Sequence, residues 1–234
     1  MKTVAFIPAR GGSKGLPGKN IRDCAGHPLL AYSIKSALEC DLIDHVFVST
    51  DCPKIAAVAK DYGSRVLMRP DILASDTALP KDAILYHLAA MDEASDLIVL
   101  LQPTSPLRTS EDISACVQPI IDDVADSVAT FVSSPSSPYR AWKKSEKDGL
   151  LAPFVDGHDM WLPRQKLEPT YHLNGAVYAV RSTSFLDDPS SGFLPGRKKM
   201  VLMTAERSLD IDTISDFEKV EKIIANSAQL QILA

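Results

Sequence analysis

Long apolar runs are missing from the 234-residue chain: none approaches the roughly 18 residues needed to cross a bilayer, so no membrane contact is expected. The first apolar run, Val4 to Ile7, meets Pro8 and Arg10 too early to be a signal-peptide core, and a cytoplasmic location follows as the expectation. Clustered cysteine is also missing. Cys24, Cys40, Cys52 and Cys116 lie far apart with no C-x-x-C pair, and read as reduced packing residues. The five histidines form no H-E-x-x-H or other zinc set. Charge of one sign is scarce: 30 acidic against 25 basic residues leave a net −5, the wrong sign for general nucleic-acid affinity. The 11 glycines and 16 prolines follow no G-x-y period, which excludes a collagen-like or low-complexity chain. What remains is an ordinary globular make-up, 45% apolar and 24% charged, read as a single domain over residues 1–234.

Short apolar runs alternate with amphipathic stretches, the pattern of βαβ units and a doubly wound, mostly parallel α/β sheet. Strands are predicted at Val4 to Pro8, His45 to Thr50, Arg65 to Arg69, Leu97 to Leu101, Val128 to Val132, Gly175 to Val180 and Met200 to Thr204. The run Leu97 to Leu101 is apolar on both faces and marks a central strand. Helices are predicted from Pro28 to Leu38, Ile55 to Tyr62, Pro80 onward with Ile84, Leu85, Leu88 and Met91 on one stripe, Glu111 to Asp122, and from about Ser215. Thr109 or Ser110 would cap the fourth of these, and Pro119 would kink it or end it early. After Ser133 the periodicity stops, and the Pro-rich, charged stretch from Tyr139 to His172 reads as an excursion from the sheet.

Ligands of open α/β sheets bind beyond the carboxyl ends of the strands, so the loops there hold the candidates. After the first strand, Arg10-Gly11-Gly12-Ser13-Lys14-Gly15-Leu16-Pro17-Gly18-Lys19-Asn20 combines four glycines with three cations, which suits a polyphosphate. It is neither a P-loop, since Asn20 follows Lys19, nor a dinucleotide fingerprint, since no G-x-G-x-x-G can be written. A solvated basic loop is the bland alternative. After the buried strand, Gln102-Pro103-Thr104-Ser105-Pro106-Leu107-Arg108 holds an amide, hydroxyls and a guanidinium on a proline-stiffened loop. Ending a strand and capping a helix accounts for Pro106 and Thr109, but not for Gln102. Before the last helix, Asp210 and Asp212 at i and i+2 point the same way on an extended segment and suit Mg²⁺, although Asp212 or Thr213 would also serve as a plain cap. Ser49-Thr50-Asp51 reads equally as ligand contact or helix cap.

Taken in order, Ile7-Pro8-Ala9-Arg10, Lys14-Gly15-Leu16-Pro17, Lys19-Asn20, Arg69-Pro70, Leu73-Ala74-Ser75-Asp76-Thr77, Leu101 to Arg108, Pro163-Arg164-Gln165, Asn174-Gly175-Ala176 and Asp210-Ile211-Asp212 resemble the N-acylneuraminate cytidylyltransferase family, over nearly the whole chain. The resemblance implies a Rossmann-like nucleotidyltransferase that moves CMP from CTP to the anomeric hydroxyl of a nonulosonic acid, such as sialic or legionaminic acid, and releases pyrophosphate. It implies that Arg10, Gly11, Lys14, Lys19, Asn20 and Arg69 bind the nucleotide, that Asp210 and Asp212 bind Mg²⁺, and that Lys19, Gln102 and the two aspartates serve the reaction. It further implies that Gln102, Arg140, Arg164, Asn174 and Tyr178 bind the sugar acid. An inserted dimerisation segment at 135–195, with Phe193 and the excursion among its contacts, would pair two subunits into a homodimer. Two departures stand out: Leu79 and Pro80 replace the small hydroxyl residues often found after Thr77, and His172-Leu173 precede Asn174 where some sialic acid enzymes carry a basic residue. The latter leaves room for relatives of sialic acid. The competing readings are a cytidylyltransferase for the eight-carbon acid Kdo, whose enzymes typically carry aspartate where Gln102 stands, and a non-catalytic nucleotide-binding protein, against which the intact acid pair argues. A dinucleotide-dependent oxidoreductase lacks its fingerprint here.

Overall fold

The computed structural model describes residues 1–90, 94–157 and 159–232. In chain order its elements are β1 (Thr3–Pro8), β2 (Asp23–Cys24), β3 (His27–Pro28), α1 (Leu29–Leu38), β4 (His45–Thr50), α2 (Pro53–Asp61), β5 (Arg65–Met68), α3 (Pro80–Ala90), β6 (Leu97–Leu101), α4 (Ser110–Ile121), β7 (Ser127–Ser133), β8 (Trp142–Lys144), β9 (Leu151–Pro153), β10 (Tyr171–Arg181), α5 (Ser182–Asp187), β11 (Lys198–Leu202) and α6 (Ile214–Ile232). Seven strands form one sheet in the order β11-β7-β10-β6-β1-β4-β5. Every pairing is parallel except those of β10, which runs antiparallel to both neighbours.

The period-2 alternation of the strands builds both faces. Ala5, Ile7, Val46, Val48, Leu97, Val99 and Leu101 meet the apolar stripes of α1, α2 and α4. Val4, Phe6, Phe47, Ile98 and Leu100 meet Ile84 of α3 and Phe185 of α5 on the other face. This is the doubly wound, mostly parallel α/β class. Met91, expected to complete the α3 stripe, lies outside the described residues. No helix among the described residues is long and apolar enough to cross a membrane.

Local chemistry sets the boundaries. The cap of α4 is Thr109, whose reciprocal partner is Asp112. Pro119 stands in the last turn of α4 and the helix runs two residues beyond it, because a missing N–H costs little at a terminus already unwinding through Val124 and Ala125, which donate to the Pro119 carbonyl. β10 begins four residues earlier than its apolar run indicates, since its first part pairs with β7 at Tyr171, His172 and Leu173 before the register shifts. Consequently residues 171–181 of the expected 135–195 insertion belong to the sheet as β10, which divides that span into the excursion before β10 and the segment after it that begins with α5. That excursion carries the β8–β9 hairpin, which has no periodic signal in sequence. Phe193, expected at a dimer contact, packs against Phe185 and Tyr178 of its own chain.

Candidate active site

The carboxyl ends of β1, β5 and β6 open on one cleft of about 440 Å³, walled by the glycine loop, the 69–80 segment, the loop after β6 and the acidic segment before α6. Leu16 is buried among Leu29, Ile211 and Phe217, and so nails the glycine loop to α1 and α6. Gly18, with φ +68, supplies the left-handed residue that lets the chain turn into Lys19–Ile21. The Asn20 amide donates to the Arg10 carbonyl at 3.0 Å and braces the loop across its neck. Gly11 donates its amide to Asp51 Oδ1 at 2.9 Å, and Ala9 donates to the Ser49 carbonyl. Asp51 thus reaches the loop and does not cap α2, whose N-cap is Cys52.

The three loop cations have different surroundings. Lys19 is nearly buried; its ammonium donates to the Ile211 carbonyl at 2.5 Å and stands 3.7 Å from Asp212 Oδ1. Arg10 Nη1 donates to the Ser75 carbonyl at 3.0 Å and pairs with Asp76 Oδ1 at 3.1 Å. Lys14, largely exposed, pairs with the other oxygen of the same carboxylate at 2.5 Å. Arg69 follows β5, its amide held by the Thr50 carbonyl. Its side chain is 8% exposed, and its Nε is the buried side-chain nitrogen without a hydrogen-bond partner among the described residues. Burial pushes the guanidinium pKa down, with Asp51 opposing and Arg10 reinforcing the shift. A buried donor without an acceptor is costly, and it stands here in a side chain that lines the cleft.

Gln102, at the end of β6, is held from behind by Arg108. That guanidinium is fully enclosed and donates to the Ala176 carbonyl at 2.8 Å, to Ser33 Oγ at 2.7 Å and to the Gln102 carbonyl. Burial lowers its pKa to about 9. The Gln102 amide oxygen lies 2.6 Å from where a β-carbon on Gly175 would stand, and Gly175 adopts φ +77, so a side chain there would be strained and would displace the Gln102 amide. Across the cleft, Ile211 donates its amide to the Thr104 carbonyl at 2.9 Å and ties the acidic segment to the same loop. Thr213 and Asp216 cap α6 reciprocally, at 2.7 and 3.2 Å, which leaves the Asp212 carboxylate free for other work. Burial raises the Asp210 pKa; a hydrogen bond from Thr104 lowers it, Asp212 raises it and Lys19 lowers it.

The structure therefore gathers Arg10, Lys14, Lys19, Asn20, Arg69, Gln102, Asp210 and Asp212 into the lining of one cleft. Gly11 stands just behind it. Four residues expected at a sugar site are not in that lining. Arg140 donates to the Leu162 carbonyl and Arg164 to the Pro135 carbonyl, both within the excursion. Asn174 is buried, accepting from Thr130 Oγ1 and the Ala176 amide and donating to Ser208 Oγ, because its side chain fills the register shift of β10. Tyr178 packs on Phe193, close enough to Asp210 for that carboxylate to help burial raise its pKa. Asp76, in the Leu73 to Thr77 motif, is a site residue that the sequence does not disclose, because opposite charges far apart in sequence give no local signal. None of the cysteines lines the cleft, and burial raises the thiol pKa of Cys24 and Cys116.

A sequence model of the family described as Cytidylyltransferase matches residues 4–234. A CMP-N,N'-diacetyllegionaminic acid synthase of Legionella pneumophila is 36% identical over 229 residues, covering 96% of this chain and 97% of the relative. An N-acylneuraminate cytidylyltransferase of Streptococcus agalactiae is 35% identical over 219 residues, covering 93% of this chain; the chain spans 52% of that relative's length. Among solved structures, a CMP:2-keto-3-deoxy-manno-octonic acid synthetase complexed with CTP superposes with a TM-score of 0.72 at 21% identity, covering 97% of this chain and all of the other. By sequence and by fold, this chain belongs to the cytidylyltransferase family.

Proposed function

We propose that the protein transfers CMP from CTP to the anomeric hydroxyl of a nonulosonic acid of the sialic or legionaminic type and releases pyrophosphate. The observation that carries this reading is one cleft in which a cationic glycine loop faces a pair of carboxylates. The Legionella relative, matched over almost its full length, supports the sugar class.

In this reading Arg10, Lys14 and Lys19 hold the triphosphate, Asn20 keeps the loop in shape and Arg69 offers its unpartnered donor to the nucleotide. Gln102 faces the sugar acid from the end of β6. Asp210 and Asp212 are hard oxygen donors whose mutual repulsion and, at Asp210, burial a divalent cation would relieve, so the pair fits Mg²⁺. Bound there, Mg²⁺ would supply Lewis-acid neutralisation of charge on the phosphates. The new bond joins the anomeric oxygen to the α-phosphorus, and the bond from the α-phosphorus to the oxygen bridging toward the β-phosphorus breaks. Its electron pair leaves with pyrophosphate, and the hydroxyl proton goes to the carboxylate pair. Positioning and charge neutralisation suffice for such a transfer, and no protein nucleophile is required.

The excursion exposes Trp142, Leu150, Leu151, Phe154 and Trp161, more apolar surface than a short polar segment leaves bare without a partner. In our reading it pairs two copies into a homodimer, where Arg140 and Arg164 would act in sugar binding. The cytoplasm, with its nucleoside triphosphates, is the proposed location.

Purified protein is expected to release pyrophosphate only when CTP, Mg²⁺ and a nine-carbon 2-keto sugar acid are present together, and to stop on chelation by EDTA. Equal turnover with ATP, or none with any such acid, would overturn the proposal. Turnover confined to the eight-carbon acid Kdo would move the assignment to that substrate.

A further inference from the structure

The most unusual contact in the cleft is an anion on the wall opposite the glycine loop. Asp76 places one carboxylate oxygen 3.1 Å from Arg10 Nη1 and the other 2.5 Å from Lys14 Nζ. A single group thus spans two cations, as a phosphate would. Lys19 is not part of this bridge, being held by the Ile211 carbonyl and Asp212. The hydrogen bond from Lys14, and then the charges of Lys14 and Arg10, hold the Asp76 carboxyl below its usual range, so it stays an anion at neutral pH.

The segment that carries Asp76 is built to let go. It follows a single 3-10 turn at Asp71–Ala74 and precedes α3, and Ile72 and Leu79 beside it are 75% and 60% exposed, so little packing fixes it. Lys14 and Asp76 are themselves well exposed, and such pairs contribute little net stability. A polyphosphate carries several negative charges and displaces one carboxylate. The displaced carboxylate nevertheless stays near the same cations, repels the bound phosphates and is ready to return.

We infer that Asp76 is an internal competitor for Arg10 and Lys14, closing the empty cleft and hastening the departure of pyrophosphate by retaking its cations. The inference rests on the proposed triphosphate role of the glycine loop. It assigns Asp76 to product release, a step that often limits turnover.

Calorimetric titration with CTP, and separately with inorganic pyrophosphate, without sugar acid and with Mg²⁺ present, tests it in the wild type, Asp76→Asn, Asp76→Glu and Lys14→Ala. Asp76→Asn should bind both ligands roughly three- to tenfold more tightly, since two surface pairs are removed. Asp76→Glu, which keeps the charge, should stay near wild type. In turnover, added pyrophosphate should inhibit Asp76→Asn at correspondingly lower concentration. Unchanged or weaker binding by Asp76→Asn, with Lys14→Ala still weakening CTP, would overturn the competitor and leave the triphosphate cradle standing. If Lys14→Ala binds CTP as the wild type does, the cradle itself is wrong. Asp76 is exposed, so Asp76→Asn should melt with the wild type, and the binding change is then not a folding effect.

Discussion

A β-carbon on Gly15 would stand 2.6 Å from the Asp212 carbonyl oxygen, a backbone atom that cannot swing aside as a side chain can. The glycine loop and the acidic segment are therefore in direct contact at a residue that has no side chain, and the distance between cations and carboxylates is set there. Gly15→Ala should force the loop away from Asp212 while leaving the sheet intact. Misplacement by about 1 Å costs roughly 100-fold, so we expect kcat/KM for CTP to fall by about that factor. The melting temperature should move by only a few degrees; steady-state kinetics and a thermal melt check both. A variant with near-normal kcat/KM would show that the loop adjusts freely. The sequence marked this loop as a phosphate cradle from its glycines and cations, but which glycine touches what depends on a contact across almost 200 positions. Arg108 shows the same limit. As one more polar residue on a loop it was legible, yet its work is to hold the carbonyls of Gln102 and Ala176 from within the core.

Elements were legible where their periodicity is local. β4 and β6 fall where the apolar runs place them, and α1, α2 and α4 differ from expectation by one or two residues at their ends. β10 was legible only from Gly175, because its first residues alternate poorly and owe their pairing to β7. Its shifted register is filled by Asn174, whose side chain is consumed by Thr130, Ala176 and Ser208, a role no linear motif discloses. The β8–β9 hairpin was illegible because its pattern answers to no core of its own chain: Trp142 is 49% and Leu151 64% exposed, and Phe154 and Trp161 after it are 65% and 84% exposed. That is the argument for a partner at this element, since apolar side chains of this size gain about 2–3 kcal/mol each when covered. Sedimentation equilibrium should give a particle of twice the 25.4 kDa chain mass. The pair of changes Phe154→Glu and Trp161→Glu should give the single mass with unchanged circular dichroism. A wild-type monomer, or a variant that still pairs, would remove the excursion from the interface.

At the scale of the whole molecule, a net charge of −5 conceals a cleft edge carrying Arg10, Lys14, Lys19 and Arg69, so the overall balance speaks about bulk affinity and not about the site. Concentrating cations on a cleft has a consequence beneath it. His87 of α3 is 2% exposed, hydrogen-bonded to Ser49 Oγ at 2.8 Å. Burial first, and then the charge of Arg69, push its pKa from 6.5 down to about 4. The imidazole is thereby neutral behind the wall that carries Arg69, and it adds no further cation to the one that Arg10 already sets against Arg69. Because the folded pKa is depressed, the unfolded chain takes up a proton below pH 6.5 that the folded chain refuses until about pH 4. Stability is thus full above pH 6.5, falls by ~1.4 kcal/mol per pH unit across that window, and loses nothing more to His87 below it. Asp126, held at about 2 by hydrogen bonds from Arg197, acts in the next window: its contribution is full above its ordinary 3.8 and is lost as pH falls toward 2. Urea titrations at pH 7, 6, 5, 4 and 3 on the wild type and on His87→Gln separate the two groups. Glutamine keeps a hydrogen-bonding partner for Ser49 but does not titrate, so the stability of the wild type minus that of the variant should fall steadily from pH 6.5 to 4 and then stay constant. Parallel decline of both proteins across that range would mean that His87 takes its proton in the folded state, and that the wall behind Arg69 is wetter than its burial indicates.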